Sequence, residues 1–552
     1  MIMALVVVVI DVVCVGNYLR VIYPKGDEFA LIAMSKEHPW QWIREGYSEA
    51  FKVYPEYFKP YTNFIRPTAT LLYRVFSFVP HPHLSQIIAV NYVVHALLCA
   101  LLYIFSIRFQ NSQRFSVIVV VTAFFAPAFW NTPMLINPSF ALDGLAALLC
   151  LSSFLCIVRG QTFLAFGFLL LGVLTKETAL PIAAALLLSG VLFRQGRLLI
   201  VSCLVLLIWF GLRFYAFGTV LGGTYSFTDM PLQAFLTRVS VIALLPVSYI
   251  NLGDIKDLVV SRNNYATLLF LIGNGTIWLL TLLLVVKGKY VQQVTALFSR
   301  EAVALNATGY SIITLICLGA SVAFLALVGG QVRFSYVSFV FWLMLISTIK
   351  NQRSLKYVAS LVLLTLLAIG YFLRLPEVVN VSDMHVYQYA GARAHVNFLA
   401  NSEISDGTYV FGEYLSLYSK QDNLAIMAGL NVTLSRGSSI DINACSIADA
   451  RKVVTRVVQQ EPNVKRLETV IPACAEFSFY GANRELLTQN LQGQVLKRNE
   501  AITYRFGDIK VASKGRSKFQ QITSFGKTME ATVVGRPILY FDFTTGEWIY
   551  LP

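Results

Sequence analysis

Apolar positions along this chain do not alternate with polar ones. They run in long blocks with few charges inside, separated by short polar turns. A hydrocarbon core about 30 Å thick takes roughly 20 apolar residues per helix. Blocks approaching that length lie near residues 2–23, 85–107, 116–130, 139–158, 162–176, 178–193, 198–217, 264–286, 305–328, 334–349 and 355–373. They predict about eleven transmembrane helices. The first block has neither a basic leader nor a small-residue cleavage site after it, so it reads as a helix and not as a signal peptide. Beyond residue 373 the pattern changes. Segments 407–414, 466–473 and 534–543 are rich in β-branched and aromatic residues and predict strands, whereas 446–460, with Ser446 as its N-cap, has helical spacing. The expected architecture is a polytopic α-helical membrane domain over 1–373, followed by a soluble mixed α/β domain over 374–552. Segment 24–84 is the first outer loop and carries juxtamembrane helices.

Composition sharpens this division. Of the 552 residues, 56% are hydrophobic and only 13% charged, which excludes an ordinary soluble domain, a disordered chain and a disulfide-dense scaffold. The net charge of +14 does not point to nucleic acid. Segment 375–552 is nearly neutral, with 18 Lys and Arg against 17 Asp and Glu, so the excess belongs to the membrane half, where lipid topology explains it. The basic residues Arg108 and Arg114, Arg159, Arg194 and Arg197, Lys287, Lys289 and Arg300, and Lys350, Arg353 and Lys356 fall at alternate turns. Lys and Arg prefer the cytoplasmic side, so those turns lie inside, and 24–84, 131–138, the Lys176-Glu177 turn, 218–263 and the tail lie outside. Six cysteines (Cys14, Cys99, Cys150, Cys156, Cys203 and Cys317) fall in spans. Cys445 and Cys474 are the two in the exported tail, where they are either a disulfide or two buried thiols.

The candidate chemistry lies on the outer side. Asp27 and Glu28 follow the first span at the membrane surface, where partial burial suits a general base; an acidic N-cap is the plainer reading. Arg66 precedes Pro67, a residue suited to the first helical position, so a guanidinium and free backbone N–H groups meet at one helix start. That arrangement suits a phosphate, or else the arginine snorkels from an interfacial helix. Lys176-Glu177 and Arg333 present the same choice between helix initiation or snorkelling and phosphate contact. Asp11, His95 and Asp143 lie within spans and should face the bundle interior, because an ionisable group facing lipid is costly. No His, Cys and carboxylate cluster has metal spacing, and no Walker loop, GxGxxG or GxSxG motif occurs.

These motifs in this order resemble the GT-C glycosyltransferases, polytopic enzymes that take a sugar from a polyprenyl-phosphate carrier. The resemblance is strongest to bacterial members related to protein O-mannosyltransferases and lipid A aminoarabinose transferases. It rests on Asp27-Glu28, Arg66-Pro67, Asn91 and His95, Lys176-Glu177, and Arg333-Phe334-Ser335-Tyr336. It implies that Asp27 is the catalytic base with Glu28 beside it, and that Arg66, Lys176 and Arg333 hold the donor phosphate. Tyr61, His95, Glu177 and Tyr336 are then supporting residues. The implied enzyme is a hexosyl- or pentosyltransferase that inverts the sugar. Its site and tail would lie on the periplasmic side of a bacterial inner membrane, and its acceptor would be a cell-envelope glycan, lipid or protein. One departure stands out. Where many relatives carry His-Pro followed by an acid, this chain reads Ala126-Pro127-Ala128-Phe129-Trp130-Asn131, which leaves a divalent cation without a clear ligand cluster. The rival readings are an O-antigen ligase-like enzyme using a polyprenyl-diphosphate glycan and a non-enzymatic lipid or sugar transporter.

Overall fold

The computed structural model describes residues 66–110, 112–126, 141–217, 307–328, 336–349, 353–379, 393–411, 428–432, 434–436, 440–443, 451–472, 476–479, 491–492, 495–499, 502–506, 511–514, 521–524 and 528–552, with scattered positions in 32–36 and 275–286. The expected first span at 2–23 and the cysteines Cys445 and Cys474 lie outside the described residues.

The apolar blocks form helices close to where the pattern puts them. They are α1 (Pro67–Phe76), α2 (Ala89–Gln110, entered through a 3-10 turn at His81–Ile88), α3 (Gln113–Phe124), α4 (Ala141–Val158), α5 (Thr162–Thr175), α6 (Leu180–Leu192), α7 (Gly196–Phe217), α8 (Ala307–Val328), α9 (Tyr336–Thr348) and α10 (Arg353–Val379). Helix α10 continues past the expected boundary at 373. Gln86–Gln110, Gly196–Tyr215 and Thr308–Leu325 are long and apolar enough to cross a membrane, and shorter apolar helical stretches of 10–17 residues, Leu142–Val158 and Leu355–Ile369 among them, accompany them among the described residues. Large apolar side chains also cover the outside of the bundle, with Phe163 84% and Leu207 68% exposed, as a lipid-facing surface requires.

Helix α4 packs against α5, α2 and α9; α2 against α3; α6 against α7; and α8 against α9 and α6. Close approach is set at Gly144 on α4. A Cβ there would meet Val94 Cγ1 of α2 at 3.0 Å and Tyr336 Cε1 of α9 at 3.3 Å, so a larger residue would press both neighbours outward where the three helices meet. The connections α4–α5 and α6–α7 are both closed by a left-handed residue, Gly160 (φ 75°) and Arg194 (φ 52°). In each, the next N–H reaches back into the ended helix, Gln161 N to Cys156 O at 2.8 Å and Gln195 N to Gly190 O at 2.9 Å, which satisfies terminal carbonyls. Near the ends of α2 and α9, Lys356 Nζ and Gln110 Nε2 both donate to the Ile349 carbonyl, at 3.0 and 2.9 Å, and so cap the α9 end.

The tail is built mainly from strands. One sheet has the order β14-β13-β1-β2, with β1 (Thr408–Phe411) parallel to both β2 (Leu434–Arg436) and β13 (Ile538–Asp542), and β14 (Glu547–Leu551) antiparallel at the edge. The other two are antiparallel. Their orders are β10-β11-β6-β3 (Val511–Lys514, Gln521–Ser524, Glu476–Phe479, Ile440–Asn443) and β4-β5-β12-β9-β8-β7 (Val454–Glu461, Val464–Val470, Thr528–Val534, Ile502–Phe506, Val495–Asn499, Leu491–Gln492). The strands expected at 407–414, 466–473 and 534–543 correspond to β1, β5 and the stretch from the end of β12 through β13. The helix expected over 446–460 is corrected. Within its described part, Arg451 and Lys452 form a turn and Val454 onward is β4, paired with β5 from Val454↔Val470 to Glu461↔Val464 with a register shift between Val457 and Gln459. Its β-branched residues fit a ladder better than a helix once β5 offers an edge.

In the tail, His395, within helical residues 393–400, stacks on Trp548 of β14 with ring centroids 3.7 Å apart. The imidazole is fully buried and neither ring nitrogen has a hydrogen-bond partner among the described residues, so burial lowers its pKa from 6.5 to about 3. The unfolded chain therefore takes up a proton below about pH 6.5 that the folded state refuses until about pH 3. Stability contributed by this neutral ring is complete above pH 6.5 and is lost as the pH falls through that window. Hydrogen exchange in β1, β13 and β14 of the full chain, corrected for intrinsic rates, should be faster at pH 4.5 than at pH 7. His395→Phe should flatten that difference, and equal protection of the wild type at both values would refute the role of His395.

Candidate functional site

The site begins at a break between two apolar helices. Helix α5 ends at Thr175 because Lys176 adopts an extended backbone (φ −158°, ψ 143°); a 3-10 turn, Glu177–Ala179, then leads into α6, with Pro181 in its first turn. All four residues 176–179 are buried, so this non-helical turn is enclosed by protein. That is the condition under which irregular backbone is tolerated at membrane depth. Polar side chains on such a turn need partners.

The extended backbone at Lys176 sends successive side chains in opposite directions. Lys176 Nζ reaches Asp143 Oδ2 at 2.5 Å, on the first turn of α4, where a carboxylate also favours the helix dipole. Glu177 turns the other way and takes a bidentate contact from Arg66, with Nε at 3.0 and 2.9 Å from its two oxygens and Nη2 at 2.5 Å from Oε2. Arg66 stands at the N-terminus of α1, whose buried face, Ala69, Thr70, Tyr73 and Phe76, belongs to a helix packed on α5. The far end of α1 is held by Arg74, which donates to the carbonyls of Ser35 at 2.9 Å and Lys36 at 3.1 Å.

A third pair adjoins these. His95 Nδ1 hydrogen-bonds the Tyr336 hydroxyl, joining α2 to α9, and the two rings lie nearly parallel at 6.1 Å. Tyr336 and Val94 both press on Gly144, the residue after Asp143, so the His–Tyr pair and the Lys–Asp pair flank the same stretch of α4. The two ion pairs cancel in formal charge. Asp143 Oδ1 and Thr178 Oγ1 are buried there with no hydrogen-bond partner among the described residues.

The structure thus brings together Arg66, His95, Lys176, Glu177 and Tyr336 at one interior region of the bundle. Asp27, Glu28, Tyr61 and Arg333 lie outside the described residues. The two basic residues expected at a phosphate, Arg66 and Lys176, each face a carboxylate. The residue that pattern reasoning left without a role is Asp143. Its signal in the sequence was the cost of a carboxylate inside an apolar block, which demanded a partner without naming it. Among the described residues no group of three or more His, Cys, Asp or Glu side chains is placed to hold a metal ion.

No protein-family model matches the chain, and no curated protein sequence matches it. Among solved structures, a crystal structure of ArnT from Cupriavidus metallidurans bound to undecaprenyl phosphate overlaps 83% of this chain and 96% of its own, at 12% identity and a TM-score of 0.41. An overlap this loose assigns neither a fold nor an activity, and the chain's own geometry has to carry the functional reading.

Proposed function

We propose that this protein is a membrane glycosyltransferase of the GT-C type. It moves a sugar from a polyprenyl-phosphate donor to a cell-envelope glycan, lipid or protein, on the outer face of a bacterial inner membrane, with inversion at the anomeric carbon. The observation that carries the reading is the meeting of Arg66, His95, Lys176, Glu177 and Tyr336. These motif residues come from four separate parts of the sequence and converge on a buried polar cluster inside an apolar bundle.

The chemistry follows from those groups and from Asp27. The Asp27 carboxylate takes the proton of the acceptor hydroxyl, the oxygen attacks the anomeric carbon from the face opposite the phosphate, and the polyprenyl phosphate leaves with the bonding pair. Positive charge must meet the departing phosphate. A guanidinium has five N–H donors and an ammonium three, so Arg66 and Lys176 are each able to serve a carboxylate and a phosphate oxygen together. In this arrangement Glu177 and Asp143 are positioning residues. They fix the direction of the cations, and they keep two like charges tolerable in a buried site before the donor arrives. His95 and Tyr336 fix α2 against α9 beside them.

The test offers the purified protein, with acceptor membranes, a polyprenyl-monophosphate sugar and a polyprenyl-diphosphate glycan in separate reactions. The monophosphate donor should be consumed and the new glycosidic bond should have inverted configuration by NMR. Retention would reject the single displacement. Consumption of the diphosphate glycan alone would reassign the protein to ligase chemistry, and consumption of neither with transmembrane movement of the carrier would make it a transporter.

A further inference from the structure

A cavity of about 580 Å³ opens at the other end of α5. Helix α5 has 14 residues, so this end is about 20 Å from the Lys176 turn. The cavity lies between the two left-handed turns that close α4 and α6, and Tyr310 of α8 completes it. Two arginines line it, Arg159 and Arg197, and none of the described residues that line it is acidic. Further polar groups come from Thr162 and Gln195, while Val158, Leu198 and Val201 give it an apolar wall. Outside that wall the flank is apolar and open. Phe163 on α5 and Ile200, Leu204 and Leu207 on α7 are all exposed.

From this geometry we infer that the cavity binds the phosphate head group of an anionic phospholipid, with Arg159 and Arg197 on the phosphate and the acyl chains along the exposed face of α7. Three features select this ligand. Cations gathered with no carboxylate among the described lining residues leave a positive charge, unlike the paired cations around Lys176. Guanidinium groups match phosphate oxygens in geometry, and hydroxyl and amide groups nearby suit a glycerol-type head group. The apolar wall, continuous with a lipid-facing flank, favours a tethered phosphate over a free one, and basic hollows between helices at a membrane surface are suited to such lipids. The loop charges assign this end of the bundle to the cytoplasmic side, where anionic lipid is available. The role is separate from sugar transfer and stands or falls independently of it.

The test is lipid binding by the full-length protein in detergent, read by native mass spectrometry and by thermal shift. The probes are phosphatidylglycerol, phosphatidylcholine and inorganic phosphate. Phosphatidylglycerol should bind and raise the unfolding temperature, and added salt should weaken the effect. The double variant Arg159→Gln/Arg197→Gln changes only exposed side chains and should lose at least about tenfold in affinity. Thr162→Glu provides a second route: a carboxylate in the first turn of α5 favours that helix yet repels an anionic head group, so stability should hold while binding falls. Equal phosphatidylglycerol affinity in the wild type and both variants would overturn the site. Equal stabilisation by phosphatidylcholine would overturn the charge selectivity, and equal stabilisation by inorganic phosphate at matched concentration would overturn the lipid in favour of a soluble anion.

Discussion

Asp143→Ala is expected to cost about 3–5 kcal/mol of stability, because it leaves the Lys176 ammonium buried without its partner. Both side chains are shielded, with Asp143 1% and Lys176 10% exposed, so water cannot replace the lost contact cheaply. The cost belongs to the orphaned charge more than to the pair itself. Replacing both members by apolar residues of similar volume, Asp143→Leu with Lys176→Met, should therefore recover most of the stability. Unfolding followed by tryptophan fluorescence in detergent separates the two cases. A single variant that unfolds within about 0.5 kcal/mol of the wild type, as an exposed substitution would, contradicts the buried pair. Under the proposed function the repaired double variant remains folded and still transfers no sugar, since it has lost the cation assigned to the phosphate. Folding and catalysis are then read from one pair of proteins.

Asp27→Asn is the second large effect. It removes a base while preserving volume, so kcat should fall by about 10²-fold or more with folding and donor binding intact. Activity within threefold of the wild type would move the base elsewhere. The arginines need more care. Arg66→Ala would weaken donor binding under the proposal, but it also strips Glu177 of its bidentate partner, so part of any loss would be structural. Arg66→Ala combined with Glu177→Gln removes the orphaned charge and isolates the phosphate term.

Much of the bundle was legible because apolar blocks and polar turns bound helices directly. Pro67 announced the start of α1 and the Lys176-Glu177 dipeptide announced a break between α5 and α6. What the pattern did not give was pairing. Asp143 lies 33 positions before Lys176, and the pair depends on an extended backbone at a single residue. His95 and Tyr336 are 241 positions apart, and the expectation that His95 faces inward carried no information about the partner. The helix expected over 446–460 gives way to β4 in its described part for a related reason. A run such as Val-Val-Thr-Arg-Val-Val satisfies both a helical and an extended spacing, and pairing with β5 decides between them. The basic cavity was invisible because two short turns and one tyrosine, distant in sequence, build it together. The paired state of Arg66 and Lys176 also changes the meaning of the motif. A list of basic residues suggests positive charge awaiting phosphate, whereas the geometry sets each cation in a carboxylate's grip.

The most direct measurement is native mass spectrometry of the protein released gently from its own membrane and then mixed with a polyprenyl-phosphate sugar. A bound polyprenyl phosphate should be present at the outset, and after mixing with acceptor membranes the added carrier should lose the mass of one sugar. Bound carrier should also decrease in the Asp143→Leu/Lys176→Met protein. A preparation that carries no polyprenyl phosphate and leaves every monophosphate donor intact would contradict the glycosyltransferase reading.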